Sequence, residues 1–571
     1  MADRKQCELS LAKRLQGTIP QIEKVQSLCQ VPSISFGVLH RGETFCHSIG
    51  YRDANLTLKA DSDTIYMLGS CSKMLTSAAM GILVDAGKMS WQEPVRKYIP
   101  KFGPVGDPHI REQADFIDLL RHSSGIGDAG RLCLGPSGSI LVDENDLIPL
   151  LNMMSTSNDQ GQRFNKDWAY NNIAYGIVAK AIENVSGQRF DKFVKEQILQ
   201  PLKMTRTAVA KSDIVSDDNV ASSCATLANG QFVELDTSSW PCEDVSPLLA
   251  AAGIRSSVND VLKWCAAVLS AERNELSRMS QGKHAKSSSA TGTLMSPGNP
   301  LKQMTRVRRG YWTRPADDPS TSKHAAYCMG WVRMELPSST LSSFSGNSLS
   351  RKKDYQMHIK PEFILGKGSN PFLMIGHSGG MPGSLATIWT FPETQSAVVV
   401  MTNGRGLGDA SDFAAQILTQ ALLDLNPQID LFPWVELETK LVRNYFETDL
   451  LAPWMENRFS DDLQRDPELY VGNYVGFRGL FAMIVTRNAN GDLVVLFNHR
   501  QASSSPLIFY RCDVYSFFTP DYDYWVTRGA AVSKYEETLL EFKLDQAQNR
   551  VEGLHWLWNS DEDREWFKRI D

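Results

Sequence analysis

The sequence lacks an excess of positive charge and lacks any long apolar run. Its 571 residues include 59 Lys and Arg against 65 Asp and Glu, which gives a formal net charge of −6. Proteins that bind nucleic acid neutralise phosphates with clustered Lys and Arg, so we expect no nucleic-acid partner. The longest apolar runs, such as 248–254 and 397–401, fall far below the ~20 residues that span a bilayer. We therefore expect no membrane partner.

The sequence also lacks an N-terminal targeting pattern and a cysteine framework. Residues 1–8 contain no apolar segment of the kind found in secretory signals, which predicts a cytoplasmic location. None of the ten cysteines forms a Cys-x-x-Cys pair or lies at zinc-ligand spacing from His. We therefore expect reduced, mostly buried thiols, and neither a metal nor another cofactor.

The composition is that of a globular protein, with strands at both ends of a helical middle. Alternating apolar residues predict a hairpin over 33–53. Further strands are predicted over 371–377, 384–391 and 396–402. Helical periodicity dominates 90–260. This order predicts an α+β fold, in which an antiparallel sheet is flanked by helices and carries a helical subdomain.

The composition changes at about residue 430. Residues 1–430 carry the predicted α+β domain, with Ser-rich surface insertions, predicted as loops, at about 272–325 and 337–356. Residues 431–467 are predicted to be a linker. Short strand-like runs with turn signals fill 468–571, where Tyr and Trp are concentrated. They predict a C-terminal antiparallel β-barrel with an aromatic core.

The first chemical motif is Ser70-x-x-Lys73, at the predicted start of a helix. This spacing places the two side chains one turn apart on one face. A Ser hydroxyl becomes a nucleophile when a base takes its proton, and a Lys amine serves as that base when burial depresses its pKa. The long apolar-faced helix that follows distinguishes this pair. The same spacing is also typical of solvated pairs, as at Ser10, Ser280, Ser320 and Ser350.

The second motif, Tyr170-x-Asn172, opens another predicted helix and is the only Tyr-x-Asn in the chain. A phenol beside a Lys ammonium titrates below its usual pKa of ~10 and can shuttle protons. An Asn amide beside it can hold both a Lys and a substrate carbonyl. The alternative is a packed Tyr and an Asn that caps the helix.

The third motif, His377-Ser378-Gly379-Gly380, ends a predicted strand. Its small residues allow a substrate backbone to approach closely. The backbone N–H of Gly380 and that of Ser70 are candidates for an oxyanion hole.

An alternative interpretation concerns the same segment. Gly376 to Gly380 also fits Gly-x-Ser-x-Gly, the nucleophile elbow, which would make Ser378 the nucleophile. That elbow requires a helix immediately after the Ser. Here a strand-like pattern over 384–391 follows instead, which argues against the elbow.

Together and in this order, the three motifs resemble those of the serine β-lactamase and penicillin-binding-protein-like family. The resemblance covers about residues 15–425, and it is greatest to class C β-lactamases, peptidases of the S12 type and related esterases and transesterases. It extends to residues 119–126, which include His122, and to 252–260 and 327–331. Some members carry a lipocalin-like β-barrel after the catalytic domain, and 468–571 is compatible with one.

The resemblance implies a role for each motif residue. Ser70 is the nucleophile that forms an acyl-enzyme, and Lys73 is the general base. Tyr170 relays protons to the leaving group, and Asn172 positions Lys73 and the substrate. His377 takes the place of the cation of the third motif.

The resemblance also implies how the substrate is held. The N–H groups of Ser70 and Gly380 are the oxyanion donors, and Ser378 and Gly379 contact the substrate. β-Lactamases usually have Lys-Thr-Gly or Lys-Ser-Gly here, whereas esterases and aminopeptidases of the family have a His. Because a neutral His binds a carboxylate less firmly than Lys, the His377 motif predicts weak β-lactam hydrolysis.

The expected function is therefore that of a serine hydrolase acting on a small-molecule ester or amide. One alternative is an acyltransferase or transesterase of natural-product tailoring, which takes an ester, amide or acyl-carrier substrate and passes the acyl group to an alcohol or amine. An alternative of another class is a non-catalytic binding protein on the same fold. Members that lose activity usually lose the Ser, Lys or Tyr, and all three are present here.

Overall fold

The computed structural model describes residues 10–156, 163–235, 246–284, 298–313, 325–338, 344–529 and 532–571, the last range without 533, 546, 548, 560 and 561. Parts of both predicted insertions lie outside these ranges. No helix within them combines the length and the apolar character that crossing a bilayer requires. The eight cysteines within them are all free thiols, and six are buried.

Helices occur throughout the chain, and fifteen α-helical segments lie within the described residues. In chain order they are α1 (Leu11–Gln16), α2 (Ile19–Cys29), α3 (Ser72–Asp85), α4 (Pro108–Gln113), α5 (Phe116–Leu120), α6 (Gly130–Cys133), α7 (Leu147–Met153), α8 (Ile173–Ser186), α9 (Phe190–Val194), α10 (Val258–His284), α11 (Met304–Val307), α12 (Ala410–Leu423), α13 (Phe432–Tyr445), α14 (Ala452–Glu456) and α15 (Tyr522–Thr527).

The strands before residue 430 form one large sheet and two small ones. In chain order they are β1 (Ser33–His40), β2 (Glu43–Gly50), β3 (Tyr66–Met67), β4 (Thr207–Ala208), β5 (Cys224–Thr226), β6 (Phe232–Glu234), β7 (Arg255–Ser256), β8 (Trp312–Thr313), β9 (Ala326–Tyr327), β10 (Val332–Leu336), β11 (Phe372–Met381), β12 (Ser384–Phe391) and β13 (Ser396–Thr402). The large sheet has the order β2-β1-β13-β12-β11-β10-β9-β8, and all its pairs are antiparallel.

Helices cover both faces of the large sheet. Strand β13 is buried along its whole length because its side chains alternate between two cores. Val398 and Val400 face α2, α12 and α13, whereas Val399 faces α10 and the helical subdomain. The predicted α+β fold with an antiparallel sheet and a helical subdomain is confirmed.

Strand β11 extends further than its neighbour β10, which leaves one edge of β11 free. Its register with β10 ends at the pair Val332 and Gly376. Its register with β12 continues to Met381 opposite Ser384. Within the described residues, positions 377–381 therefore have a strand partner on one side only. A substrate backbone can pair with such an edge.

The C-terminal strands form a separate antiparallel sheet. They are β14 (Gly472–Gly476), β15 (Phe481–Arg487), β16 (Leu493–Phe497), β17 (Ser505–Pro506), β18 (Ile508–Arg511), β19 (Val514–Ser516), β20 (Leu539–Asp545), β21 (Arg550–Trp556) and β22 (Glu565–Arg569). The order is β17-β16-β15-β14-β22-β21-β20-β19-β18.

This second sheet is a nearly closed barrel, as the sequence predicts. Its two edge strands, β17 and β18, are consecutive in the chain. Buried aromatic side chains, among them Tyr474, Phe481, Trp556 and Phe567, fill the core. Trp525 is not part of this core, although the predicted core included the aromatic residues of the domain. It lies on α15 and contacts the Tyr445 ring of α13.

Two stretches are more helical than the sequence predicts. Helix α10 continues to His284, although a loop was expected from residue 272. The segment predicted as a linker begins with α13, whose Trp434 and Val435 are buried beneath the large sheet. Polar residues on the outer face of each helix mask this periodicity, because burial of one narrow stripe is enough to hold the helix.

A buried ion pair joins α10 to the sheet and gives a stability prediction. Glu272 and Arg308 are both buried, and their charged atoms lie 2.6 Å apart. Because Ala at 272 leaves the Arg308 cation buried and unpaired, Glu272→Ala should lower the free energy of unfolding by about 3 kcal/mol. Urea denaturation measures this loss. The control is Glu112→Ala, which breaks an exposed pair with Arg96 and should cost under about 1 kcal/mol. Equal losses in the two variants would contradict the argument.

Candidate active site

Ser70 lies where a short turn leads into a buried helix. Strand β3 is followed by a 3-10 turn, Gly69–Cys71, and α3 begins at the next residue. Ser70 is half-buried, whereas Lys73 in the first turn of α3 is fully buried. The Lys73 Nζ lies 3.2 Å from the Ser70 Oγ. The predicted pair is therefore in hydrogen-bond contact.

Burial changes the chemistry of the Lys73 amine. Its Nζ donates to the Asn172 Oδ1 at 2.8 Å and to the Ala251 carbonyl at 3.1 Å. Desolvation lowers the pKa of Lys73 to about 7, against an opposing effect of the Asp128 carboxylate. The amine can therefore lose its proton near neutral pH, as a general base must.

Tyr170 is the second group that is hydrogen-bonded to the nucleophile. Its hydroxyl donates to the Ser70 Oγ at 2.9 Å. The Lys73 Nζ lies 4.7 Å from the centre of its ring. Burial nevertheless raises the pKa of Tyr170 above its ordinary value, so the predicted lowering by the neighbouring ammonium does not occur. Tyr170 is a neutral phenol that can donate a proton.

Asn172 precedes α8 without capping it. Its side chain makes no cap hydrogen bond, and its Oδ1 accepts from Lys73 instead. Asp128 orients the amide, because the Asn172 Nδ2 donates to its Oδ2 at 3.2 Å and the Asn172 N–H donates to its Oδ1 at 3.1 Å. Asp128 is thus a site residue that sequence reasoning missed, since nothing in its local sequence distinguishes it from a loop aspartate.

The free edge of β11 passes directly against the turn that carries Ser70. A Cβ added at Gly379 would lie 2.0 Å from the Leu68 carbonyl oxygen and 2.9 Å from the Ser70 backbone nitrogen. A Cβ added at Gly69, whose φ is +52°, would lie 2.5 Å from the Gly380 backbone nitrogen. Glycine at these positions allows the two segments to touch. The backbone amides of Ser70 and Gly380 are thereby brought close together.

His377 is in the site, but its ring is buried and engaged. The Asn171 N–H donates to the His122 Nδ1 at 3.0 Å, so the other nitrogen of His122 carries the hydrogen and donates to the Tyr327 hydroxyl at 3.1 Å. Tyr327 then donates to the His377 Nε2 at 3.1 Å, and the His377 Nδ1 donates to the Ser378 carbonyl.

Both imidazoles in this chain of donors are neutral. Burial and the nearby Lys73 lower the pKa of His377 to about 3 and that of His122 well below its usual range. His377 therefore supplies no positive charge at the position where β-lactamases usually have the Lys of the third motif. His122 is the second donor of the chain, after the Asn171 N–H.

The structure contradicts the nucleophile-elbow alternative. Ser378 lies inside β11, which continues to Met381, and the next element is β12 rather than a helix. Its side chain is buried and its Oγ has no hydrogen-bond partner within the described residues. Neither a base nor an acid contacts this hydroxyl, so Ser378 is not placed for nucleophilic attack.

Aromatic rings form the wall of the site next to Tyr170. Trp168 and Phe344 lie 6.1 and 6.3 Å from the Tyr170 ring, and Phe344 lies 5.4 Å from His377. Phe344 belongs to the second predicted surface insertion, where the sequence gives no reason to expect a site residue. No group of three or more His, Cys, Asp or Glu that could hold a metal occurs in the part of the chain that the structure describes.

The chain is similar to several known proteins. The Beta-lactamase family model matches residues 22–422 of the chain. Unguisins hydrolase ungD from Aspergillus violaceofuscus is 22% identical over 438 residues, which cover 74% of this chain and 67% of that protein. Protein flp from Staphylococcus aureus (strain N315) is 23% identical over 184 residues, which cover 32% of this chain and 36% of that protein.

A solved structure shares the fold over nearly the whole chain. It is the octameric penicillin-binding protein homologue from Pyrococcus abyssi, with a TM-score of 0.53 and 20% identity. The match covers 98% of this chain and 100% of that one. At this identity the likeness concerns the fold alone.

The contact between β11 and the Ser70 turn gives a prediction on two adjacent glycines. Gly379→Ala should lower the free energy of unfolding by about 2 kcal/mol, because the new methyl meets the rigid backbone of Leu68 and Ser70. Gly380→Ala should cost less than about 1 kcal/mol, because its methyl meets the movable end of the Leu385 side chain at 3.1 Å. Urea denaturation of the two variants tests the difference. A larger loss in Gly380→Ala would refute the described contact.

Proposed function

The chain belongs to the β-lactamase family, and from that premise we propose that it is a serine hydrolase that forms an acyl-enzyme on Ser70 and cleaves a small-molecule ester or amide. One observation carries the proposal. The Ser70 Oγ lies within hydrogen-bond distance of both a buried amine, 3.2 Å away, and a neutral phenol, 2.9 Å away. A base and an acid on one hydroxyl are what acyl transfer to and from a serine requires.

Acylation begins with neutral Lys73. Its two N–H bonds point to the Asn172 Oδ1 and the Ala251 carbonyl, so its lone pair is left for the proton of Ser70. As the Ser70 Oγ bonds to the substrate carbonyl carbon, its proton moves to the Lys73 Nζ. The carbonyl oxygen becomes an oxyanion, which the N–H groups of Ser70 and Gly380 stabilise.

Collapse of the tetrahedral intermediate releases the leaving group. Its bond to carbon breaks, and it takes a proton from the Tyr170 hydroxyl, which the Lys73 ammonium then replaces. Water then attacks the ester carbon on Ser70 while Lys73 again takes a proton. The bond between this carbon and the Ser70 Oγ breaks, the Oγ takes the proton back from Lys73, and the acid product departs. The net reaction is an ester or amide plus water giving an acid plus an alcohol or amine. An alcohol or amine in place of water would make the enzyme an acyltransferase.

Two observations bear on the substrate and on the choice between water and an acceptor. The neutral, engaged ring of His377 offers no cation to a carboxylate at the third motif, which disfavours β-lactams. The relative ungD is named a hydrolase, which favours water as the acceptor.

A fluorophosphonate probe tests the nucleophile. We expect intact-mass analysis to show one adduct on the wild-type protein and none on Ser70→Ala, because the phosphonyl group bonds to the activated Oγ. Ser378→Ala is the matched control and should be labelled like the wild type. No adduct on folded wild-type protein would overturn the enzyme assignment in favour of a non-catalytic binding protein. An adduct that is lost only in Ser378→Ala would instead identify Ser378 as the nucleophile, as the nucleophile-elbow alternative requires.

Ester and thioester panels separate hydrolysis from transfer. For the hydrolase, added alcohols and amines should leave the release of acid unchanged. An acyltransferase would instead form the new ester or amide at the expense of the acid. The wild-type protein and Ser70→Ala are compared in both arms, and product formation that persists in Ser70→Ala would exclude an acyl-enzyme on this residue.

The pH dependence of labelling tests the base. Neutral Lys73 is the reactive form, so the labelling rate should rise with pH through about 7, where Lys73 loses its proton. The Asp128 carboxylate raises the pKa of Lys73, so Asp128→Asn should move this rise to lower pH. Initial labelling rates between pH 5 and pH 9 measure both midpoints. A midpoint that is unchanged in Asp128→Asn would argue against Lys73 as the titrating group.

A further inference from the structure

A large cavity lies between the free end of the β11–β12 hairpin and the C-terminal part of the chain. Its volume is about 440 Å³. Pro382, Gly383 and Leu385 of the hairpin line one side, and Tyr522, Trp525 and Val526 of α15 line another. Val442 and Tyr445 of α13 close a third side. The cavity is therefore enclosed by elements from both parts of the protein.

The cavity is adjacent to the proposed oxyanion hole. Leu385 is the strand partner of Gly380, and a Cβ on Gly380 would lie 3.1 Å from the Leu385 side chain. The cavity thus begins at the residue beside the second oxyanion donor. A substrate that follows the free edge of β11 past Gly380 enters it.

Helix α15 is fixed against the first domain rather than projecting from the barrel. The Ala228 N–H donates to the Asp523 carboxylate at 2.7 Å, and the Arg528 side chain contacts Ser137. A Cβ on Gly529 would lie 3.2 Å from the Pro382 side chain. These contacts hold the aromatic wall at a set distance from the hairpin, which a specificity pocket requires.

The lining mixes apolar and polar side chains, and two of its polar groups have no partner among the described residues. The Trp525 indole N–H is buried and has no acceptor among the described residues. Arg405 is exposed and forms no ion pair with any described residue. The other charged groups are occupied, since Lys352 pairs with Asp449 at 3.1 Å and Asp409 caps α12. An apolar group with a hydrogen-bond acceptor or a negative charge at its end matches this lining.

The position of Tyr170 decides which part of the substrate enters. Tyr170, the proposed proton donor to the leaving group, lies at the beginning of the free edge, among the rings around His377. The cavity lies at the other end of that edge, beyond Gly380. The leaving group therefore departs on the Tyr170 side, and the acyl group extends towards the cavity.

We propose that this cavity is the acyl pocket of the enzyme and that it takes a bulky apolar acyl group, aromatic or long aliphatic, with Arg405 binding a carboxylate at the rim. The assignment rests on the proposed acyl-enzyme at Ser70. It makes the C-terminal domain, through α15, a determinant of which acyl groups are accepted.

Paired p-nitrophenyl esters test the pocket. The wild-type protein should have a higher kcat/KM for the 4-phenylbutyryl ester than for the acetyl ester. Val442→Trp fills the cavity from α13, and it should lower the ratio of these two constants about tenfold, as a lost apolar contact of this size does. A ratio equal to that of the wild type, in a variant with the wild-type melting temperature, would overturn the pocket.

A second pair tests the charge at the rim. Arg405→Gln should lower kcat/KM for the 4-(4-carboxyphenyl)butyryl ester, relative to the 4-phenylbutyryl ester, about fivefold. The matched control is Arg273→Gln, which removes an exposed cation from α10 and should leave both constants at wild-type values. If both variants show the same relative loss, the loss reflects the net charge of the protein. Arg405 is then not the carboxylate partner.

A binding measurement separates failure of the pocket from failure of the proposed chemistry. Calorimetry with 4-phenylbutyrate uses Ser70→Ala, so no turnover is needed. Binding that weakens about tenfold on adding Val442→Trp supports the pocket even if no ester is hydrolysed, in which case only the proposed function fails. Absence of binding, or binding that Val442→Trp leaves unchanged, overturns the pocket whether or not esters are hydrolysed.

Discussion

The burial of one amine is the constraint on which the rest of the site depends. Water would keep Lys73 charged at neutral pH, and desolvation in the first turn of α3 lowers its pKa to about 7. The Asp128 carboxylate opposes this effect without reversing it. The backbone supplies the remaining support, because the π-helical turn Leu249–Gly253 presents the Ala251 carbonyl to the Nζ. The helix, the turn and the loop at Asp128 must therefore pack together before Ser70 has a base.

The same burial explains why the neighbouring groups are neutral. An ammonium at Lys73 disfavours a second cation nearby, and it contributes to the low pKa of both His122 and His377. Each imidazole is then satisfied as one member of a donor chain through Tyr327. Tyr170 is also neutral because its phenolate would be buried. One titrating base surrounded by neutral donors allows a proton to move without creating a stable ion pair.

Sequence reasoning identified the parts of the site that are local in the chain. The spacing of Ser70 and Lys73 fixes their contact because one helical turn joins them. Strand periodicity located β11 and, with it, Gly379 and Gly380. Asp128 and Phe344 were missed because their roles come from contacts distant in sequence. The lowered pKa expected for Tyr170 was wrong, because spacing cannot show how deeply a phenol is buried.

The C-terminal barrel has the aromatic core that its sequence predicts. Rings such as Phe481 and Trp556, whose centres lie 6.0 Å apart, pack against each other inside it. The domain contacts the first domain through its outer surface, where the Asp523 carboxylate of α15 accepts a hydrogen bond from the Ala228 N–H. A rigid barrel is well suited to hold such a short helix in place, because a six-residue helix has too few hydrogen bonds to be stable alone. The chemistry can therefore stay in one domain while the shape of the cavity beside it is set by another.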